Sequence, residues 1–321
     1  MATRQFDPFK GLGRGIEWTD LTAGAIGGCL HDCKWNIGQE IASCYAKVLA
    51  ESGVAKRGYP RGFEAHYWRP NVLKDLKTST VEFVFVDSMA DMFGRWVPDE
   101  QVITVLDTLR EASWKTFQSL TKAAKRLLKF TDWMPPNLWV GVSSPPDHFM
   151  GRELTVEQKT RYMHVALETL AEVKARTGNI VWMSFEPLSH DISGIVAAYP
   201  GVLDWAIIGA ASNGRRYIQP RAADVDALLD VLDAQGVGTF FKGNIRPLLQ
   251  DWDFGTPTKN RWREDFPVRP TGDATGPAPA VLRRQRLARR YGWTLNTFLA
   301  DEPEAAAPAP RPAVPAQPSL F

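Results

Sequence analysis

The chain has 321 residues, 44% of them hydrophobic and 23% charged, and its 38 Lys and Arg against 36 Asp and Glu leave a net charge of +2. That balance excludes a polyelectrolyte that holds nucleic acid by its overall field, leaving only local basic patches for such a role. No apolar run approaches the roughly twenty residues of a membrane-spanning helix, and MATRQFDPFKGLGRG lacks the apolar core of a secretory signal, so a cytoplasmic protein without membrane contact is expected.

In chain order, Ile16–Thr19 reads as a first strand ending at Asp20, with a cysteine-bearing segment behind it. From Thr80 onward, short β-rich runs alternate with amphipathic stretches, the pattern of βα units around a largely parallel sheet. Glu82–Asp87 is the next strand, followed by Ser88 and Asp91. Pro98–Ala112 opens with Pro and acidic residues, as a helix start should. Thr116–Leu120 then leads to Thr121 and Lys122, and Leu138–Val142 leads to Ser143 and Ser144. Thr155–Arg176 is a long amphipathic helix that stops at a Thr-Gly pair. Ile180–Phe185 ends at Glu186, Trp205–Ile208 precedes Ser212 and Asn213, and Thr239–Lys242 ends at Lys242 with Asn244 behind it.

Several of these runs are apolar throughout, as strands buried on both faces are. Trp139, Trp182 and Trp205 lie inside them and read as core. No G-x-G-x-x-G follows the first strand and no phosphate loop is present, so a full or partial βα barrel is preferred over an open dinucleotide-binding sheet. In such a barrel the residues past the C-terminal strand ends line the site. Glu186 and Lys242 stand out there, because each ends an apolar strand at once (WMSFEP, TFFKGN) and needs a partner if it is withdrawn from water. An ion pair of Glu186 with Lys122 or Lys242 is the plain structural expectation.

The barrel is expected to occupy residues 1–268. RPTGDATGPAPA then marks a linker over 269–280, Val281–Leu299 reads as a helix carrying Arg283, Arg284, Arg286, Arg289 and Arg290, and 300–321 is a disordered Pro/Ala tail ending in QPSLF.

The three cysteines, Cys29, Cys33 and Cys44, all fall between residues 29 and 44 in GGCLHDCKWNIGQEIASCYAK. An odd, clustered set in a reducing compartment points to metal or redox chemistry rather than disulfides. Three thiolates on a [4Fe-4S] cluster leave one iron open to a small molecule, which in radical enzymes is S-adenosylmethionine. A structural zinc site closes with four protein ligands, and His31 would complete a Cys3His set. Spacing alone leaves cluster and zinc level, with unligated buried thiols as a third reading.

The strings IEWTD, SCYA, HYWRP, FVDSMADMF, TFQSLTK, NLWVGVS, MSFEPL, WAIIGAAS and FFKGN occur in order between residues 15 and 245. In this the chain resembles a largely uncharacterised radical S-adenosylmethionine family common in bacteriophages and bacteria. The resemblance implies the radical-enzyme type of barrel, the [4Fe-4S] cluster on Cys29, Cys33 and Cys44, and S-adenosylmethionine as cofactor. It also places Asp91, Lys122, Ser143, Glu186 and Lys242 in recurring motifs. If a phage encodes the chain, its place is the host cytoplasm. Two departures stand out. Ten residues separate Cys33 from Cys44 where the family's last two cysteines lie closer, and the family's GGES-like turn is GAAS here, without the carboxylate.

On this footing Tyr45, Ser88, Asp91, Ser143 and Glu186 are the expected cofactor-binding residues, and Lys122, Glu186 and Lys242 the expected catalytic set. The lysines are suited to pair with a substrate phosphate or carboxylate, or to give up a proton after the radical step. The electron would come from a reductant such as flavodoxin or ferredoxin. QPSLF resembles the Gln-x-x-Leu-Phe peptides that bind the bacterial sliding clamp, through Gln317, Leu320 and Phe321. A flexible tether presenting such an anchor, with the Arg-rich helix on phosphates, points to DNA as partner and to a DNA base or nucleotide as the substrate to be modified or repaired. The competing class is a zinc-binding, DNA-associated protein without radical chemistry.

Overall fold

In the computed structural model, residues 16–37, 40–52, 55–78, 82–213, 216–251 and 262–267 are described. The expected linker, the Val281–Leu299 helix and the tail with Gln317, Leu320 and Phe321 lie outside them. The chain runs through β1 (Leu21–Ala23), β2 (Ile26–Gly27), β3 (Lys34–Ile37), β4 (Glu40–Ser43), α1 (Tyr45–Glu51) and β5 (Tyr67–Trp68). Then α2 (Val72–Thr78) precedes β6 (Phe83–Val86), and α3 (Asp99–Glu111) precedes β7 (Thr116–Thr121). A 3-10 segment (Ala124–Trp133) leads to β8 (Leu138–Ser143), the short β9 (His148–Phe149) and β10 (Arg152–Glu153), and α4 (Val156–Thr177). β11 (Val181–Phe185), α5 (Ser193–Ala197), β12 (Trp205–Ile208), β13 (Ala211–Asn213) and β14 (Arg216–Ile218) follow, then α6 (Ala222–Ala234), β15 (Gly238–Phe241) and α7 (Arg246–Asp251).

Seven strands form one sheet in the order β1-β6-β7-β8-β11-β12-β15, parallel at every step. The order never reverses, so there is no switch point of the doubly wound kind, and the sheet curls one way into a partial barrel. It stays open between β1 and β15. The outer edge of β15 is covered by residues 262–267, through Phe241 N–H to the Arg263 carbonyl (2.8 Å) and Asp265 N–H to the Thr239 carbonyl (3.0 Å), which removes an exposed edge.

Period-two alternation divides each strand between two cores. On the convex face Val84, Val86, Phe117, Val140, Val142, Met183 and Ile208 pack against the apolar faces of α3, α4 and α6, including Val105, Leu109, Leu167, Leu170, Val225 and Leu229. On the concave face Phe83, Phe85, Trp139, Trp182, Trp205 and Phe240 form an aromatic floor, so the three strand tryptophans are core as expected. The helix signals also hold. Pro98 precedes α3, and α4 opens with a capping box between Thr155 and Gln158 and closes on Gly178 in the left-handed conformation.

One expected strand is corrected. Residues Ile16–Thr19 are a turn, and the first strand is β1, paired with β6 through Leu21↔Val84. The apolar run there serves a plug: Trp18 is buried in the aromatic floor, with ring centroids 4.5 Å from Phe85 and 5.2 Å from Trp182. Thr19 Oγ1 donates to the Phe83 carbonyl (3.2 Å), and the Asp20 carboxylate accepts the Phe83 N–H (3.0 Å). Asp20 therefore lies at the entry to β1, away from the C-terminal ends.

Candidate functional site

Above the aromatic floor, at the C-terminal ends of the strands, lies a cavity of ≈ 150 Å³. Cys29, Cys33, Cys44, Tyr45, Ser88, Asp91, Lys122, Ser143, Glu186 and Lys242 all line it, so every residue singled out in the sequence as ligand, cofactor-binding or catalytic faces one space. Alternation explains the convergence. Lys122 continues the face of Leu120 on β7, Glu186 that of Ser184 on β11, and Lys242 that of Phe240 on β15, each pointing into the concavity.

The cysteine segment reaches this space by two local devices. Gly28 has φ 80° and lies so close to the neighbouring chain that a Cβ there would meet the Ala65 carbonyl oxygen at 1.8 Å. Only glycine permits this approach, which lets Cys29 N–H donate to the Phe63 carbonyl at 3.1 Å. The second device resolves the unusual spacing. Residues between Cys33 and Cys44 form the β3–β4 hairpin, paired Lys34↔Ser43 through Ile37↔Glu40. In that register Cys33 and Cys44 are the next opposed pair, and Cys44 N–H donates to the Cys33 carbonyl at 3.1 Å. A ten-residue insertion thus costs no proximity, because an antiparallel ladder returns the chain to its start.

Burial pushes the Cys29 thiol well above its ordinary range, Asp91 adds to this, and a backbone hydrogen bond from His31 opposes it. Burial likewise pushes Cys33 up to about 12, with the Lys122 ammonium pulling the other way. Bare thiolates are therefore disfavoured, and a cationic centre bound there would displace protons to form.

Asp91 is the hub that ties this loop to the sheet. It is 3% exposed and lies with Oδ2 2.7 Å from His31 Nε2; it accepts from Thr121 Oγ1 (2.7 Å to Oδ1), Lys122 N–H (2.9 Å) and Phe93 N–H (3.0 Å). Burial opposes its charge, but the His31 contact and these donors hold its carboxyl below the usual range. Both oxygens are spent inside the protein, so Asp91 positions the cysteine loop and β7 rather than offering a free acceptor. His31, Thr121, Trp35 and Ser184 also line the cavity and were not assigned roles there from sequence, apart from His31 as a zinc ligand. Their signal is periodicity relative to residues already chosen: Ser184 is two before Glu186, and Trp35 is two after Cys33.

Lys242, also lining the cavity, forms the expected ion pair with Glu186. Tyr45 is half-exposed, but its hydroxyl turns inward to donate to the Ser88 carbonyl at 2.7 Å. Lys122 Nζ lies 5.8 Å from the centroid of the Trp35 ring. Other strand-end residues prove structural: Asn244 brackets Ala210, accepting its N–H at 3.0 Å and donating to its carbonyl at 2.7 Å. The side chains of Ser212 and Asn213 lie outside the described set.

Among the described residues no group of three or more His, Cys, Asp and Glu side chains is arranged to hold a single metal ion. Three sulfurs on one tetrahedral ion at about 2.3 Å would lie within about 4 Å of one another. In a cluster each cysteine bonds a different iron and the sulfurs stand farther apart. The donor set that lines the cavity is three thiols, soft ligands that iron–sulfur clusters and zinc both take.

No curated protein matches the chain. Among solved structures, spore photoproduct lyase complexed with dinucleoside spore photoproduct aligns at 9% identity over 68% of this chain and 74% of that one, with a TM-score of 0.43. A second structure of that lyase, with bound AdoMet and the same dinucleoside, gives 9%, 68%, 75% and 0.42. A dihydrodipicolinate synthase family protein from Coccidioides immitis gives 14% identity over 53% of this chain and a TM-score of 0.32, and the match spans about half (51%) of that protein's length. A family model matches residues 14–247, a span that holds every cavity residue named above, and the chain belongs to that family, DUF5131, a family of proteins of unknown function.

Proposed function

We propose that the chain is a radical S-adenosylmethionine enzyme whose cavity holds a [4Fe-4S] cluster on Cys29, Cys33 and Cys44 and acts on a DNA base or nucleotide. The observation that carries this reading is the in-register hairpin, which sets Cys33 against Cys44 so that both line, with Cys29, one cavity at the C-terminal strand ends. When bound, the cluster and S-adenosylmethionine supply one electron to a sulfonium and a 5′-deoxyadenosyl radical that removes a hydrogen atom from an unactivated carbon.

The chain's own residues bind, orient and exclude water. The aromatic floor closes the cavity from below, Ser143 and Ser184 line it, and Lys242 pairs with the Glu186 carboxylate within it. Glu186 then accepts hydrogen bonds from a bound hydroxyl or ammonium group. Electrons would come from a reductant such as flavodoxin or ferredoxin. Gln317, Leu320 and Phe321 would tether the enzyme to the sliding clamp, with the arginines of Val281–Leu299 on DNA phosphates. Among the described residues no helix is long and apolar enough to cross a membrane.

Anaerobically purified protein is expected to be brown and to release 5′-deoxyadenosine from S-adenosylmethionine on reduction, and Cys→Ala at position 29, 33 or 44 abolishes both. Zinc is the second reading, favoured by His31, whose Nε2 meets Asp91 while Nδ1 is buried without a partner, as in a carboxylate-backed histidine ligand. Colourless protein with stoichiometric zinc would establish it instead. For the clamp, deletion of residues 317–321 is expected to abolish co-elution with the sliding clamp; undiminished co-elution would sink the tether.

A further inference from the structure

We propose that Lys122, held over the indole of Trp35, is the anion-binding subsite of the cavity and takes the phosphate of a nucleotide substrate. The kind of substrate rests on the radical-enzyme reading above; the subsite itself rests on geometry.

Two lysines line the cavity. Lys242 is paired with Glu186. Lys122 has no carboxylate within ion-pairing reach among the described residues. Its neighbour Asp91 spends its oxygens on His31, Thr121 and two backbone N–H groups. The Lys122 backbone is clamped on both sides, its N–H on Asp91 (2.9 Å) and its carbonyl under the Tyr162 hydroxyl (2.9 Å), which fixes the point from which its side chain extends to the Trp35 ring.

Trp35 is fixed as firmly. It sits on β3, and the next residue, Asn36, is held by Asp147 Oδ2 accepting its N–H (2.9 Å) and by its Oδ1 against His148 Nε2 (2.8 Å). Asp147 is in turn paired with Lys159 at 2.8 Å. The indole face stabilises the ammonium by about 0.5–2 kcal/mol but, unlike a carboxylate, leaves its charge unneutralised. Trp35 Nε1 is itself buried without an acceptor. A cation without a carboxylate partner and a buried donor without an acceptor, on two residues that line one cavity, call for a group with negative charge and several acceptor oxygens. A phosphate has that chemistry, and lysine binds it as a point charge.

The test is calorimetric titration of the full-length, anaerobically purified protein with thymidine 5′-monophosphate, thymidine and S-adenosylmethionine. Wild type is expected to bind the monophosphate about tenfold more tightly than the nucleoside, as a charge-assisted bond of about 1.5 kcal/mol gives. Lys122→Met removes that preference and leaves S-adenosylmethionine affinity, iron content and visible absorption unchanged, and Lys122→Arg restores it. Equal affinity of wild type for nucleoside and monophosphate would overturn the proposal. So would Lys122→Met weakening S-adenosylmethionine instead, which would make the cofactor carboxylate the anion. A loss of iron with the phosphate preference intact would overturn it too, making Lys122 a counter-charge to the cysteines. Failure of the radical reading shows separately, as colourless protein that forms no 5′-deoxyadenosine, and the phosphate preference is scored regardless.

Discussion

Asp87 follows β6 with φ 57°, a left-handed conformation that costs a non-glycine residue roughly 1 kcal/mol or more. Its Oδ1 accepts the Ile26 N–H at 3.0 Å, pinning the cysteine loop to the sheet, while Oδ2 is buried without a partner. Burial raises its pKa from 3.8 to about 7, against the Ile26 hydrogen bond and with Asp91 adding to the rise. The folded chain thus keeps a proton that the unfolded chain releases. Stability from this group is complete below the unfolded value of about 3.9 and is lost as pH rises through the folded value. Urea unfolding of wild type should lose up to about 1.4 kcal/mol per pH unit from this source across that window. Asn tolerates left-handed backbone, so Asp87→Asn flattens the slope; identical slopes would mean Asp87 is ionised throughout. Asp91, whose carboxyl is held below the usual range, has the opposite sense. Asp91→Ala strands His31, Thr121 and two backbone donors, at about 3–5 kcal/mol measured by the urea midpoint.

At the scale of elements, the β3–β4 hairpin decides whether three cysteines in this spacing form one set. Its anchor is Asp147, which ties Asn36 to Lys159. Asp147→Ala is expected to cost about 1–3 kcal/mol and to lower iron per chain in reconstituted protein more than it lowers the melting temperature. Full iron content in that variant would show that the cysteines hold their places without the hairpin. The sequence marks this hairpin only faintly: KWNI and EIAS are short, and the turn between them carries a single glycine. Helices α3 and α4 were legible because Pro98, the Thr155–Gln158 box and Gly178 are local signals whose chemistry acts within one turn.

At the scale of the whole molecule, the cavity stands on the aromatic floor. Trp182 is wholly buried, its indole lies over Gly141, and a Cβ there would meet Trp182 Cε2 at 2.4 Å and the Ser119 carbonyl oxygen at 2.7 Å. Gly141→Ala is expected to cost about 1–3 kcal/mol through overpacking, and Trp182→Ala about 3–5 kcal/mol through the void it leaves, both read from denaturant unfolding. If Gly141→Ala is neutral, the floor gives way locally and the close layer is not required.

Six of the seven sheet strands were legible in sequence because strands buried on both faces are largely apolar, and the polar residue that ends β6, β7, β8, β11 and β15 is visible in the string. That also placed Lys122, Ser143, Glu186 and Lys242 at the mouth, since period two fixes which side of a strand they share. Ile16–Thr19 misled for the same reason: an apolar run records burial, and burial of Trp18 as a plug looks like burial in a strand. Which lysine is neutralised, how Asp91 spends its oxygens, and how Cys33 meets Cys44 across ten residues were decided only by tertiary structure. The Cys33–Cys44, Glu186–Lys242 and Asp91–His31 partners stand between eleven and sixty residues apart, and no local pattern carries that distance.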